Sequence, residues 1–267
     1  MSNPYFFIDK KSIENIDSPG SICSRESALN ICGMDFYHLI KVLRAKPGDI
    51  IELSDNECFR YLTQLEEIQK DKAVLLIKEK YPICRRSPSV YLFQCILKKE
   101  AMELAIQKTV EIGVDCIIPI ISERVVVKLD EGRTSARVLR WQQIASEASK
   151  QCKRDFECRI LNPAGIVDIK TGDFGVFFAP VEVAILKESK KNPESLENIS
   201  RVNMGIDLHE VEKIAYIIGP EGGFEEKEIS LLAKNNALLV NFGNNILRAE
   251  TAAIYFLSIL DYLIKKN

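Results

Sequence analysis

"IIGPEGGFEEKEI", residues 217–229, joins an apolar run to an acidic, helix-prone segment through Gly-Pro-Glu-Gly-Gly. A glycine loop between a strand and a helix invites a nucleotide, and a phosphate there needs either a Lys or a bare, positive helix N-terminus. This helix opens instead on Glu225, Glu226 and Glu228, which suit the helix dipole themselves and repel a phosphate. The loop has neither the Gly-Lys-Ser/Thr ending of a P-loop nor the spacing of a dinucleotide fingerprint, so ATP and NAD fit poorly. A cofactor without phosphate, or a positive one, is favoured. S-adenosylmethionine meets that description, since backbone amides and carbonyls can hold its adenosine and its sulfonium tolerates acids. Taken alone, the loop is equally compatible with a turn that merely connects strand to helix.

Working outward, the same alternation repeats. "SVYLFQCIL" (89–97), "CIIPII" (116–121), "FGVFFAP" (174–180), "KIAYIIG" (213–219) and "ALLVNFG" (237–243) read as strands. Between the first two lies a helix with Met102, Ala105, Ile106, Thr109 and Val110 on one face, ended by Gly113 as a left-handed cap. A long helix carries Val138, Trp141, Ala145, Ala148 and Cys152 on one side. A closing helix, 249–266, turns Ala253, Phe256, Leu260 and Leu263 inward. Alternating strands and helices predict an α/β domain with a mostly parallel sheet covered on both faces. Residues 187–198 read as its most loop-like segment.

Ahead of this domain the texture differs. "DIIEL", "CFRYLTQLEE" and "AVLLIKEK", separated by "SDNE" and "KDK", predict a small antiparallel barrel or sandwich over residues 49–79. A short helix, about Asp35 to Arg44, leads into it. The prolines and basic pair of "YPICRRSPS" mark a linker near residues 80–89, which gives expected domains at 1–79 and 80–267.

The 267 residues are 46% hydrophobic, enough for a real core, and 36 Lys and Arg against 38 Asp and Glu leave a net charge of -2. A polyanion partner must therefore be met by a local patch. No apolar run reaches the length of a membrane span, and the first residues lack the order of a signal peptide, so the expected location is cytoplasmic. Eight cysteines contain no Cys-x-x-Cys and the two histidines stand apart from them. Buried free thiols are expected, and no metal.

A second strand–loop–helix junction, "NFGNNILRAETAA" (241–253), places Arg248 and Glu250 where the loop enters the last helix. With it the chain resembles the SPOUT methyltransferases, and within them the RsmE family of bacterial 16S rRNA uracil-N3 methyltransferases. The resemblance is carried in order by "HLIKVLRAKPGDIIELSDN" (38–56), "QKTVEIGVDCIIPIISERVVVKL" (107–129), "RWQQIASEASKQCKR" (140–154), "IGPEGGF" (218–224) and "FGNNILRAETAA" (242–253). It implies an N-terminal PUA-like β-barrel that helps hold RNA, and a C-terminal SPOUT domain with a deep trefoil knot. It also implies a homodimer whose site is completed near the subunit interface, and 16S rRNA in the small ribosomal subunit as partner. Carried onto this chain, the cofactor loops are Gly219, Pro220, Glu221, Gly222 and Gly223, then Phe242, Gly243, Asn245, Ile246 and Leu247, with Thr251 beside them.

Methyl transfer to a uracil N3 needs no metal; it needs stabilisation of the charge that spreads onto O2 and O4 as the imide proton leaves. Arg248 suits that role as a guanidinium, with Glu250 orienting it or accepting the proton. The competing reading is a structural Arg248–Glu250 ion pair. For RNA, residues 137–159 hold six basic side chains against three acids, a local +3. The expected phosphate contacts are Lys98, Lys108, Arg124, Lys150, Lys153 and Arg154, with Lys41, Arg44 and Arg60 in the barrel.

The sequence departs from the family at four places: Asn245 where an Arg is usual, Lys153 where a Gly follows "QC", no tyrosine-glutamate pair in "FFAPVEVA", and no early Arg. Two alternatives stay open: the same enzyme class acting on a ribose 2'-hydroxyl or a guanine of rRNA or tRNA, and a non-catalytic RNA-binding protein.

Overall fold

The computed structural model describes residues 3–8, 28–125, 131–181, 194–195, 208, 210–242 and 245–266. These fall into two compact units, 1–85 with 150–157, and 86–149 with 158–267.

The first unit is a five-stranded sheet. β1 (Tyr5–Phe7), β2 (Ala28–Cys32), β3 (Ile50–Ser54), β4 (Phe59–Ile68) and β5 (Lys72–Pro82) lie in the order β1-β3-β4-β5-β2. All pairs are antiparallel except β1 with β3. Alternate residues of each strand face the core, so Ile51, Leu53, Tyr61, Leu65, Ala73 and Leu75 bury together with Phe6, Leu29 and Ile31. β5 runs into the expected linker as far as Pro82, because register shifts at Leu62/Thr63 and Leu65/Glu67 let it follow β4 to its start at Phe59. The short helix begins earlier than expected. α1 spans Gly33–Tyr37, a single π-helical turn follows over His38–Val42, and the chain leaves it with Arg44 at φ 57°.

The segment 150–157 belongs to this unit through hydrogen bonds and charge. Tyr5 donates to the Arg154 carbonyl at 2.7 Å, and Ser54 to the Asp155 carbonyl at 2.6 Å. Glu52 accepts from Lys153 Nζ at 2.7 Å and also from Arg60, whose guanidinium lies 3.5 Å from Asp155. Burial alone would raise the Glu52 carboxyl, but hydrogen bonds and charge from Lys153 and Arg60 outweigh it and hold it below the ordinary carboxylate range. Lys153 sits at φ 54°, the left-handed region. The family's usual glycine would be unstrained there, and this chain holds a Lys through the Glu52 contact instead.

The second unit carries β6 (Ser89–Cys95), α2 (Lys99–Ile112), β7 (Cys116–Ile121), α3 (Glu131–Gln151), β8 (Arg159–Ile160), β9 (Ala164–Gly165), β10 (Val176–Pro180), β11 (Glu194–Ser195), β12 (Lys213–Ile218), α4 (Glu226–Lys234), β13 (Leu238–Asn241) and α5 (Ala249–Lys266). Its sheet runs β11-β13-β10-β12-β6-β7-β8, with β9 also on β7, and every pair among the described residues is parallel. β10 and β12 are buried on both faces, as near-continuous apolar strands of a covered sheet must be. Ile214, Tyr216 and Ile218 face the core shared with α2, α3 and α5, while Ala215 and Ile217 face the one closed by Ile229 and Leu232 of α4. The predicted inward faces of α2 and α5 are the buried ones, with Leu263 partly covered. Gly113 ends α2 at φ 130°, and its carbonyl accepts from Arg86, which also pairs with Asp115 and Asp261.

Two expectations are corrected. Glu194–Ser195, inside the segment read as loop, pairs with β13 as a strand; the rest of 187–198 lies outside the described residues. The described cysteines are all free, but Cys32, Cys58 and Cys84 are exposed, because each stands at a strand end or beyond one rather than in a core. Cys95, Cys116 and Cys158 are buried, and burial pushes the Cys116 thiol up to about 11.

Two outcomes are expected from the Lys153 contact. Lys153→Ala keeps the left-handed strain and loses the ion pair, so it destabilises the protein by about 1–3 kcal/mol. Lys153→Gly loses the pair but removes the strain, and in urea unfolding it is more stable than Lys153→Ala by about 1 kcal/mol. Because the Glu52 carboxyl is depressed in the fold, its stabilisation is present above the ordinary carboxyl pKa and is lost as pH falls through the lowered value. Glu52→Gln therefore costs stability at neutral pH and flattens the acid limb of the unfolding midpoint against pH.

Candidate functional site

In an open parallel sheet all strands point the same way, so the loops that follow them share one edge, and a crevice opens where the strand order reverses. Here the reversal lies between β6 and β12: the chain goes from β6 to β7 on one side and later fills β10, β12 and β13 on the other. At the C-terminal ends of these strands lies a cavity of about 830 Å³.

The first wall is the glycine loop of residues 217–229. β12 ends at Ile218, and the chain turns through Gly219–Gly223 before α4. The Gly223 N–H donates to the Pro220 carbonyl at 2.9 Å, and Gly223 has φ 70°, which a side chain would strain. Gly219 lies against Phe224; a Cβ there would stand 3.1 Å from the ring. Gly219, Pro220, Glu221 and Gly223 line the cavity, and Gly222 does not.

The acids that follow divide by environment. Glu226 is exposed, Glu225 is half-buried at the cap, and Glu228 is buried at 2% exposure. The Glu228 carboxylate accepts the Glu225 N–H at 2.9 Å and the Glu123 N–H at 3.1 Å. Its charge is thus met by two backbone donors and the start of α4, the compensation a buried carboxylate requires.

The second wall comes from the loop after β13. Phe242, Asn245, Ile246, Leu247, Arg248 and Glu250 line the cavity, together with Ala249 and Ala252 of α5. Gly243 lies outside the described residues. Thr251 is exposed and is not brought to the cavity, because the α5 residues on either side of it turn the inward stripe past it. Arg248 is exposed and forms no ion pair with Glu250 among the described residues.

The remaining lining was not foreseen: Lys98, Glu100, Ala101 and Leu104 at the start of α2, and Pro180 and Val181 at the end of β10. The usable signal was positional, since these residues lie at or just past the C-terminal ends of β6 and β10, on the same edge of the parallel sheet as the two loops. Lys98 was expected to meet RNA; it is exposed, and its N–H lies 3.4 Å from a Glu221 carboxylate oxygen.

Most of the other expected phosphate contacts are engaged within the protein. Lys150 pairs with Asp35 at 2.6 Å, Lys153 and Arg60 with Glu52, and Lys108 with Glu111 at 2.9 Å. Arg154 donates to the Phe156 carbonyl at 3.2 Å, and Arg124 to the Gly222 carbonyl at 3.0 Å. Lys41 and Arg44 are exposed. Among the described residues no group of His, Cys, Asp or Glu is placed to hold a metal ion, and no helix is long and apolar enough to cross a membrane.

Known proteins resemble this chain over most of its length. The profile of an RNA methyltransferase domain matches residues 85–261, and that of an RNA methyltransferase PUA domain matches residues 31–78. Ribosomal RNA small subunit methyltransferase E of Bacillus subtilis is 30% identical over 87% of this chain and 89% of its own. The protein of that name from Mesomycoplasma hyopneumoniae is 33% identical over 82% and 88%. The crystal structure of a ribosomal RNA small subunit methyltransferase E from Neisseria gonorrhoeae bound to S-adenosyl methionine superposes with a TM-score of 0.73 at 25% identity, covering 98% of each chain. The matched profiles and relatives together span most of the sequence, and the chain belongs to the ribosomal RNA small subunit methyltransferase E family of RNA methyltransferases.

Proposed function

We propose that this chain transfers a methyl group from S-adenosylmethionine to N3 of a uridine in 16S rRNA. The observation that carries the reading is the meeting of both glycine loops, Arg248 and Glu250 at one cavity. The residues present fit the cofactor. The cavity falls within the roughly 300–1,000 Å³ of small-molecule sites. Ile218, Phe242, Leu247, Ala249 and Ala252 offer an apolar bed for a base, the glycine backbone offers close polar contacts, and the Glu221 and Glu250 carboxylates suit a sulfonium. No lysine stands in either glycine loop to neutralise a phosphate.

Gly219, Pro220, Glu221 and Gly223 would hold the cofactor from one side, and Phe242, Asn245, Ile246 and Leu247 from the other. Bound there, S-adenosylmethionine supplies a methyl group activated by its sulfonium. The protein's part is to position the base and stabilise charge. Arg248 would stabilise the negative charge that grows on the uracil oxygens as N3 gives up its proton, from a position that leaves N3 open to the methyl group. Glu250 orients that guanidinium or takes the proton. Lys41, Arg44 and Lys98, all exposed, are the cations best suited to backbone phosphates. A homodimer that completes the site, an assembled small subunit as substrate, a knotted C-terminal path and a cytoplasmic location belong to the same reading.

Deleting the gene and running primer extension along 16S rRNA tests it, because N3-methyluridine blocks normal pairing and stops reverse transcriptase. A stop lost on deletion and restored by complementation identifies the target; an unchanged pattern of stops removes the reading. Arg248→Ala is expected to slow transfer by about 10²–10³-fold while calorimetry finds cofactor affinity within about threefold of wild type. Gly219→Ala crowds the Phe224 ring, an overpacking that costs about 1–3 kcal/mol, and weakens the cofactor's dissociation constant about tenfold with the fold retained.

A further inference from the structure

We infer that Arg124 is a positioning residue for the glycine loop, holding its outer side so that its inner side stays shaped for the cofactor. The inference rests on the proposed cofactor site, and it assigns Arg124 a role other than contact with RNA phosphate.

The loop that follows β7 grips the turn between β12 and α4 at two points. Arg124 Nη1 donates to the Gly222 carbonyl at 3.0 Å, and Arg124 Nε lies 3.7 Å from a Glu225 carboxylate oxygen. One residue earlier, the Glu123 N–H donates to Glu228, whose other oxygen takes the Glu225 N–H. Gly222 rests against the Arg124 stem, with a Cβ built there falling 3.5 Å from the Arg124 Cβ. Of the five residues Gly219–Gly223, Gly222 is the one that does not line the cavity, and its carbonyl is the one that Arg124 holds. The loop thus has an anchored outer side and a cavity side.

Two features make the anchor matter. Glycines leave a backbone many conformations, so a loop rich in them needs an external contact to keep one shape. The guanidinium can also hold a carbonyl and a carboxylate at once through its fork of donors, which a single ammonium does less well. Glu225 and Glu228 therefore have a role beyond the helix dipole: the first takes the guanidinium, the second takes the backbone on both sides of the contact.

The test is amide hydrogen exchange of the ligand-free full chain together with calorimetric titration of S-adenosylmethionine, on wild type, Arg124→Ala, Arg124→Lys and Lys234→Ala, an exposed lysine at the far end of α4. Arg124→Ala is expected to speed exchange over residues 219–225 about tenfold, leave exchange in β6, β7 and β12 unchanged, and raise the cofactor dissociation constant about tenfold. In steady-state methylation of small subunits its KM for cofactor rises while kcat at saturating cofactor and KM for subunits stay within twofold. Arg124→Lys recovers part of the affinity, and Lys234→Ala behaves as wild type. Unchanged exchange in the Arg124→Ala loop overturns the inference without touching the proposed reaction, since that readout needs no cofactor. A raised KM for subunits with a shallower salt dependence and unaltered cofactor affinity also overturns it, and makes Arg124 a phosphate contact. Wild type that binds no S-adenosylmethionine overturns both.

Discussion

Parallel pairing is the constraint on which the rest of the second unit depends. Once β10, β12 and β13 lie side by side in one direction, their C-terminal ends must share an edge, and each following loop must turn back over the sheet there. β6 joins the same edge through β12, which brings the start of α2 to the opposite side of the opening. Residues more than a hundred positions apart, such as Ala101 and Leu247, then face one cavity without any local sequence relation. The helices that cover the sheet supply the driving force for this arrangement, since Met102, Ile106, Phe256 and Leu260 bury on the same face as Ile214 and Tyr216.

Several charges in this protein tie backbone segments to one another. Lys153 occupies a left-handed position and is retained by Glu52; Arg86 ties the end of α2 to α5; Glu228 fastens the loop after β7 to the head of α4. Each of these groups reads in sequence as a surface charge, and each is at least partly buried with its partner. Counting local net charge therefore overstates the basic surface available to RNA. The +3 of residues 137–159 is largely answered by acids from other segments, Asp35 and Glu52 among them.

What the sequence determined by itself was what repeats along the chain. The strand and helix alternation, the inward faces of α2 and α5, the helix start after Gly223 and the two glycine loops follow from periodicity and from glycine and acid placement, which are local properties. The long closing helix was legible to its ends because its stripe of Ala253, Phe256 and Leu260 is strong and continuous. β1 and β2 were not legible, since three and five residues carry too little pattern and are held as strands by partners far away in the chain. The π turn at His38–Val42 and the extension of β5 to Pro82 likewise depend on what each segment packs against.

Only the tertiary structure decided which side chains meet. It turned Thr251 outward and Arg248 free of Glu250, brought Lys98, Glu100 and Val181 to the cavity, and set Arg124 on the back of the glycine loop. The physical reason is that a motif specifies the shape of its own backbone through φ, ψ and capping, whereas the partner of a side chain is set by sheet order and helix packing. Those are properties of the whole parallel sheet, and no window of the sequence contains them.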